Sequence, residues 1–192
     1  MRILRCSFPC ESDPAFKWAT RRVGKGAMLS EPWRWTTTFA EVQIGYSKRE
    51  GVLRLEGTQP CEILDFQWVV QKAISKIGLP ETRTGELLIQ YPISELIAHR
   101  EFWASRKKFR TDSEFVLWRL CQPDVRKDKR FSKRTDPKSH LWWNRDPSGV
   151  NVEIDEEIAA LRIHIQRATP LHMNRVLSTA TSRFFPPQLL VK

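Results

Sequence analysis

EVQIGYSKREGVLRLEGTQPCEILDFQWVVQKAISKIGLP, residues 41–80, contains a change of period that decides the fold. In its first half Val42, Ile44 and Tyr46 alternate with other residues, and Leu53 and Leu55 alternate again beyond Ser47–Gly51. Alternation sends successive side chains to opposite faces of a strand, and two such runs around a short polar, Gly-containing stretch read as a β-hairpin. In its second half Ile63, Phe66, Val70, Ala73, Ile74 and Ile77 fall on one helical face, and Gly78 followed by Pro80 supplies the stop.

Working downstream, Leu87–Tyr91 reads as a third, fully buried strand. Pro92 is suited to opening a helix that carries Ile93, Leu96, Ile97 and Trp103. Thr111-Asp112-Ser113-Glu114 has the form of a capping box ahead of Phe115, Val116, Trp118 and Leu120, with Pro123 as the stop. The order strand, strand, helix, strand, helix, helix predicts a small α+β domain over residues 40–122. Upstream, residues 1–39 are broken by Pro9, Pro14 and Pro32, and Trp18, Trp33, Trp35 and Phe39 follow no sustained period, which predicts an extended N-terminal arm. Residues 123–150, with Pro123, Pro137 and Pro147 and dense charge, read as a long basic loop containing Trp. In residues 151–192 the spacing of Ile154, Ile158, Leu161 and Ile165 predicts an amphipathic helix, with Glu153, Asp155, Glu156 and Glu157 at its first turn. A shorter helix around Met173, Val176, Leu177 and Ala180 then leads into the tail Phe184-Phe185-Pro186-Pro187.

The chain has 192 residues, 41% hydrophobic and 28% charged, enough apolar material for one core. No stretch approaches 18 uncharged apolar residues, so no transmembrane segment is expected. The start lacks the apolar run of a secretory signal, and its basic residues Arg2, Arg5, Lys17, Arg21, Arg22 and Lys25 are interrupted by Glu11 and Asp13. Four scattered cysteines do not make a disulfide scaffold, and an intracellular, reducing location is expected, a mitochondrial one in the reading favoured below. Cys6 and Cys10 are spaced as half of a zinc site, but no second close pair of ligands accompanies them, so no metal and no cofactor is expected. Walker A, G-x-G-x-x-G, H-E-x-x-H and G-x-S-x-G signatures are missing, and the four histidines are scattered, so the chain reads as non-catalytic.

Charge is the informative property. The formal net charge is +10, and residues 100–145 alone hold 14 basic against 6 acidic side chains. Within them Arg126, Lys127, Lys129, Arg130, Lys133, Arg134, Lys138 and Arg145 are interleaved with Phe131, Trp142 and Trp143, and Arg106, Lys107, Lys108 and Arg110 form a second cluster. Cations neutralise phosphates and release counterions, while aromatic faces stack on unpaired bases, so these twelve residues are the candidate nucleic-acid-binding set. Trp142, Trp143, Phe184 and Phe185 lie outside the periodic elements and are candidate interface anchors. The expectation is a non-catalytic structural subunit of a large ribonucleoprotein assembly, an organellar (mitochondrial) ribosomal protein in its sharpest form, with rRNA and neighbouring subunits as partners. A peripheral accessory subunit of a mitochondrial respiratory or ATP synthase membrane complex would share the composition, since basic segments also meet acidic proteins and anionic lipid. A nucleic-acid-processing enzyme is the third reading, with Asp112, Glu114, Asp124 and Asp128 as its nearest carboxylates.

Overall fold

The computed structural model describes residues 2–11, 13–15, 17–18, 28–30, 33–39, 41–47, 49–57, 61–79, 81–82, 84–98, 111–121, 132–133, 141–145 and 150–185, with only the backbone path for 28–30, 33–39, 114, 117–118, 121, 132–133 and 141–145. It is a mixed α+β structure, as the period change predicts. The chain divides into two compact units: Ile3–Leu88 with Ile165–Leu177, and Met1–Arg2 with Ile89–His164 and Ser178–Lys192.

The first unit is built on strands β1 (Ile3–Pro9), β2 (Met28–Ser30), β3 (Trp33–Phe39), β4 (Val42–Ser47), β5 (Val52–Gly57) and the start of β6 (Gly85–Pro92), in the order β2-β3-β4-β5-β1-β6. The expected hairpin is β4–β5, antiparallel from Val42↔Gly57 to Ser47↔Val52. Its tip closes through the Gly51 amide, which donates to the Ser47 carbonyl at 2.9 Å, with Gly51 at φ 63°. That left-handed conformation is where glycine is favoured. The buried row comprises Val42, Ile44 and Tyr46 on β4 with Leu53 and Leu55 on β5.

Helix α1 (Ile63–Ile77) packs on β1 and β4. It buries Ile63, Phe66, Val69, Val70 and Ala73, while Ile74 and Ile77, expected on the same face, are half-buried. Asp65 in the first turn and Lys76 in the last complement the helix dipole. Gly78, at φ 69° and ψ 48°, ends it in the left-handed cap that the sequence predicts.

The expected arm over residues 1–39 is corrected by the structure. β1 lies between β5 and β6, and β3 pairs antiparallel with β4 from Trp35↔Tyr46 to Phe39↔Val42. Leu4, Cys6 and Phe8 alternate and are 1%, 2% and 1% exposed, so β1 is a central strand of this unit. Trp18 is also buried, at 5% exposure.

The second unit contains the end of β6, α2 (Ile93–Leu96), α3 (Asp112–Cys121), β7 (Ser132–Lys133), β8 (Leu141–Arg145), β9 (Val150–Asp155), most of β10 (Ala160–Ala168) and the end of α4 (Pro170–Phe184), with its strands in the order β6-β10-β9-β8-β7. α2 begins after Pro92 as expected, and Trp103, read as its continuation, lies outside the described residues. At the start of α3 the Phe115 amide donates to the Thr111 carbonyl at 3.3 Å, where the capping box places the helix start. Phe115 and Val116 are buried there.

Two further expectations are corrected here. Residues 153–165 are not a helix: β9, a turn at residues 156–159 and β10 occupy them. The four acidic residues read as a helix start lie on β9 and in that turn, where the Asp155 Oδ1 accepts from the Glu157 and Ile158 amides at 3.1 and 3.3 Å. Residues 123–150 are not wholly loop, since β7 and β8 run through them and β8 pairs with β9 from Leu141↔Asp155 to Arg145↔Asn151. The final helix, α4, is longer than expected and includes Met173, Val176, Leu177 and Ala180.

Candidate nucleic-acid interface

The residues selected for charge divide sharply. Lys133 sits on β7 in register with Trp142, and Ser132 beside it pairs with Trp143. On its other side β8 sets Trp142 opposite Ile154, Trp143 opposite Glu153 and Arg145 opposite Asn151. Strand pairing therefore brings Lys133, Trp142, Trp143 and Arg145 into one short antiparallel segment, β7–β8–β9, of the second unit. Arg106, Lys107, Lys108, Arg110, Arg126, Lys127, Lys129, Arg130, Arg134 and Lys138 lie outside the described residues.

Phe184 and Phe185, read as interface anchors, belong instead to the chain's own core, at 2% and 8% exposure. Phe185 meets Tyr91 edge-on, with ring centroids 6.5 Å apart and planes at 83°. The Phe185 amide donates to the Thr181 carbonyl at 2.9 Å, continuing the α4 hydrogen-bond pattern, so the pair closes a helix end.

Around this core three described arginines of the second unit have partners within it. Arg2 donates from Nε to Glu95 at 2.7 Å and lies 5.3 Å from the centre of the Tyr91 ring, a cation–π distance. Arg162 donates through Nε and Nη2 to the buried Gln90 amide oxygen, at 3.0 and 2.9 Å, and reaches Glu153 at 3.4 Å. Arg119, which the sequence reading passed over, is only 5% exposed and directs Nε and Nη2 at the Arg183 carbonyl near the end of α4. Burial, and then the nearby Arg183 charge, lower its pKa to about 10. It remains cationic at neutral pH and neutralises the carbonyl end of a helix, which makes it a structural cation rather than one offered to phosphate.

The first unit has a groove of about 540 Å³ on the outer face of β5, β1 and β6. Arg5, Arg54, Glu56 and Glu86 line it around the small Ser7. Arg5 is paired with Glu56 at 2.7 Å, and Arg54 with Glu50 at 2.5 Å. Two guanidinium and two carboxylate groups create no field of one sign, so this groove does not add to the basic surface.

Cys6 and Cys10 are both buried. The Cys6 sulfur lies 3.5 Å from the Met173 sulfur, and burial pushes its thiol pKa well up. Among the described residues no group of three or more His, Cys, Asp or Glu is placed to hold a metal ion. Among them, also, no helix is long and apolar enough to cross a membrane. The chain matches no known protein-family model and no curated protein.

Proposed function

We propose that the chain is a non-catalytic RNA-binding subunit of a large ribonucleoprotein assembly, of the kind an organellar ribosome represents. The observation that carries this reading is the concentration of 14 basic against 6 acidic side chains in residues 100–145, with Phe131, Trp142 and Trp143 among them. A field of that density attracts a polyanion, and adjacent aromatics give unpaired bases a surface to stack on. The pairing of Lys133 with Trp142 in β7–β8 supports it by setting a cation beside an aromatic position. Arg2, Arg119 and Arg162 have partners within the protein, so the reading rests on the other basic residues of 100–145.

Gradient sedimentation of the native protein from a gentle lysate tests this, with untreated, nuclease-treated and detergent-treated samples side by side. Fast migration that collapses on nuclease treatment is the expected result. A detergent-stable particle indifferent to nuclease would replace the reading with a subunit of a membrane-protein complex, and slow migration in every sample would overturn both.

A further inference from the structure

We propose that the outward face of α1, Trp68 followed by Lys72 and Lys76, is a second contact for single-stranded RNA, one that rests on the RNA-binding reading but uses none of the residues from which that reading came. These three positions are four apart along the 15-residue helix. At 3.6 residues per turn they drift by only about 40° per step, so they line one face over a rise of about 12 Å. The buried residues Ile63, Phe66, Val69, Val70 and Ala73 hold a different side of the helix against β1 and β4, farthest round from Trp68 and nearest to Lys76.

Trp68 is half-buried, Lys72 is half-buried and Lys76 is exposed. The Lys72 ammonium lies 5.9 Å from the centre of the Trp68 ring, so cation and aromatic already form one surface. Helix formation accounts for the lysines, since Lys76 in the last turn favours the dipole. Trp68, a middling helix former, keeps part of a large aromatic surface in water. Asp65 is the single carboxylate on α1, so its C-terminal half is wholly basic.

A partner suited to an aromatic plane followed by two cations along 12 Å is an unpaired base with its neighbouring phosphates. A base-paired helix is a poor fit, because its bases are already stacked and its grooves are read by shape and by 2′-hydroxyl contacts.

The test uses the full chain and a fluorescently labelled single-stranded oligouridine, with binding measured by anisotropy at several salt concentrations. Trp68→Ala is expected to weaken binding by about 5- to 150-fold, the range for losing one stacked base. Trp68→Phe retains most of the affinity. Lys72→Ala with Lys76→Ala reduces the slope of log K against log salt by about 1.4, at roughly 0.7 for each single-strand phosphate contact. Circular dichroism melts establish that each variant is folded, and if Trp68→Ala is not, the double lysine variant decides. If the parent chain binds RNA and the folded Trp68→Ala or double lysine variant matches it, the α1 contact falls while the basic-segment reading stands. If the parent chain does not bind RNA, both fall.

Discussion

A methyl group added to Gly85 has nowhere to go. Its carbon would lie 1.8 Å from the Ser7 carbonyl oxygen and 2.9 Å from the Met173 methyl, and the first of these is backbone that cannot rotate away. Gly85 is thus the position that lets β6 approach β1 closely. Gly85→Ala is expected to destabilise the fold by about 3 kcal/mol, at the upper end for overpacking, because strand must move against strand. Urea unfolding measures it, and a loss below about 1 kcal/mol would mean that β6 does not start against Ser7. Cys6 gives a prediction in pH. Its folded thiol pKa stands well above the ordinary value because of burial, so above about pH 8.5 the unfolded chain releases a proton that the folded chain keeps. Its share of stability is constant below that pH and declines as pH rises further. Cys6→Ala should therefore flatten the decline between about pH 8.5 and 10, as read from urea midpoints; an unchanged decline would place the thiol in water. At this scale the sequence was only partly legible: the spacing of Cys6 and Cys10 was weighed as half a metal site and no metal was expected, while the alternation Leu4, Cys6, Phe8, in which Cys6 acts as a small apolar side chain, was not read.

The stretch from β9 to β10 shows how one set of residues supports two periods. Ile154, Ile158, Leu161 and Ile165 fit a helical stripe, but Val152 with Ile154, and Leu161 with Ile163 and Ile165, fit two alternating runs. The structure buries the members of the alternating runs and leaves Ile158 53% exposed in the turn between them. β-branched side chains favour the strand, and Asp155 makes the turn by accepting from two amides ahead of it. Ala159 then takes φ 47° while its carbonyl accepts from the Ile93 amide at 2.8 Å. An L-residue pays for that conformation, so Ala159→Gly is expected to stabilise the protein by about 0.5–1 kcal/mol in thermal or urea unfolding. A helix through the same position would give the opposite sign, a loss of about 1 kcal/mol, so one variant separates the two structures. The β4–β5 hairpin and α1 were legible because each signal is complete within about 15 residues, period and stop together. β1 was not, because its partner β5 lies some 50 residues away: Arg5 pairs with Glu56, and no local turn announces it.

Over the whole molecule, charge is distributed much less evenly than apolar surface. Residues 1–99 carry 13 basic and 11 acidic side chains and residues 146–192 carry 5 of each, so the surplus belongs to residues 100–145. That segment was legible in sequence as a candidate site because charge density needs no fold to be counted. The α1 face was not, because reading the period for its buried side passes over Trp68, Lys72 and Lys76. The uneven distribution also fixes what neutralisation should do. Arg126→Ala, Lys127→Ala, Lys129→Ala and Arg130→Ala together remove four charges from the basic segment and none of the buried contacts described above. If they face phosphates, the slope of log K for RNA against log salt becomes shallower by about 3, at 0.7–0.9 per contact, while the melting temperature is unchanged. Removing Arg5 and Arg54 from the mixed-charge groove should shift that slope by less than one such contact, since each is paired with a carboxylate. Equal effects of the two sets would mean that RNA responds to net charge alone, and would remove the basic segment from its special place.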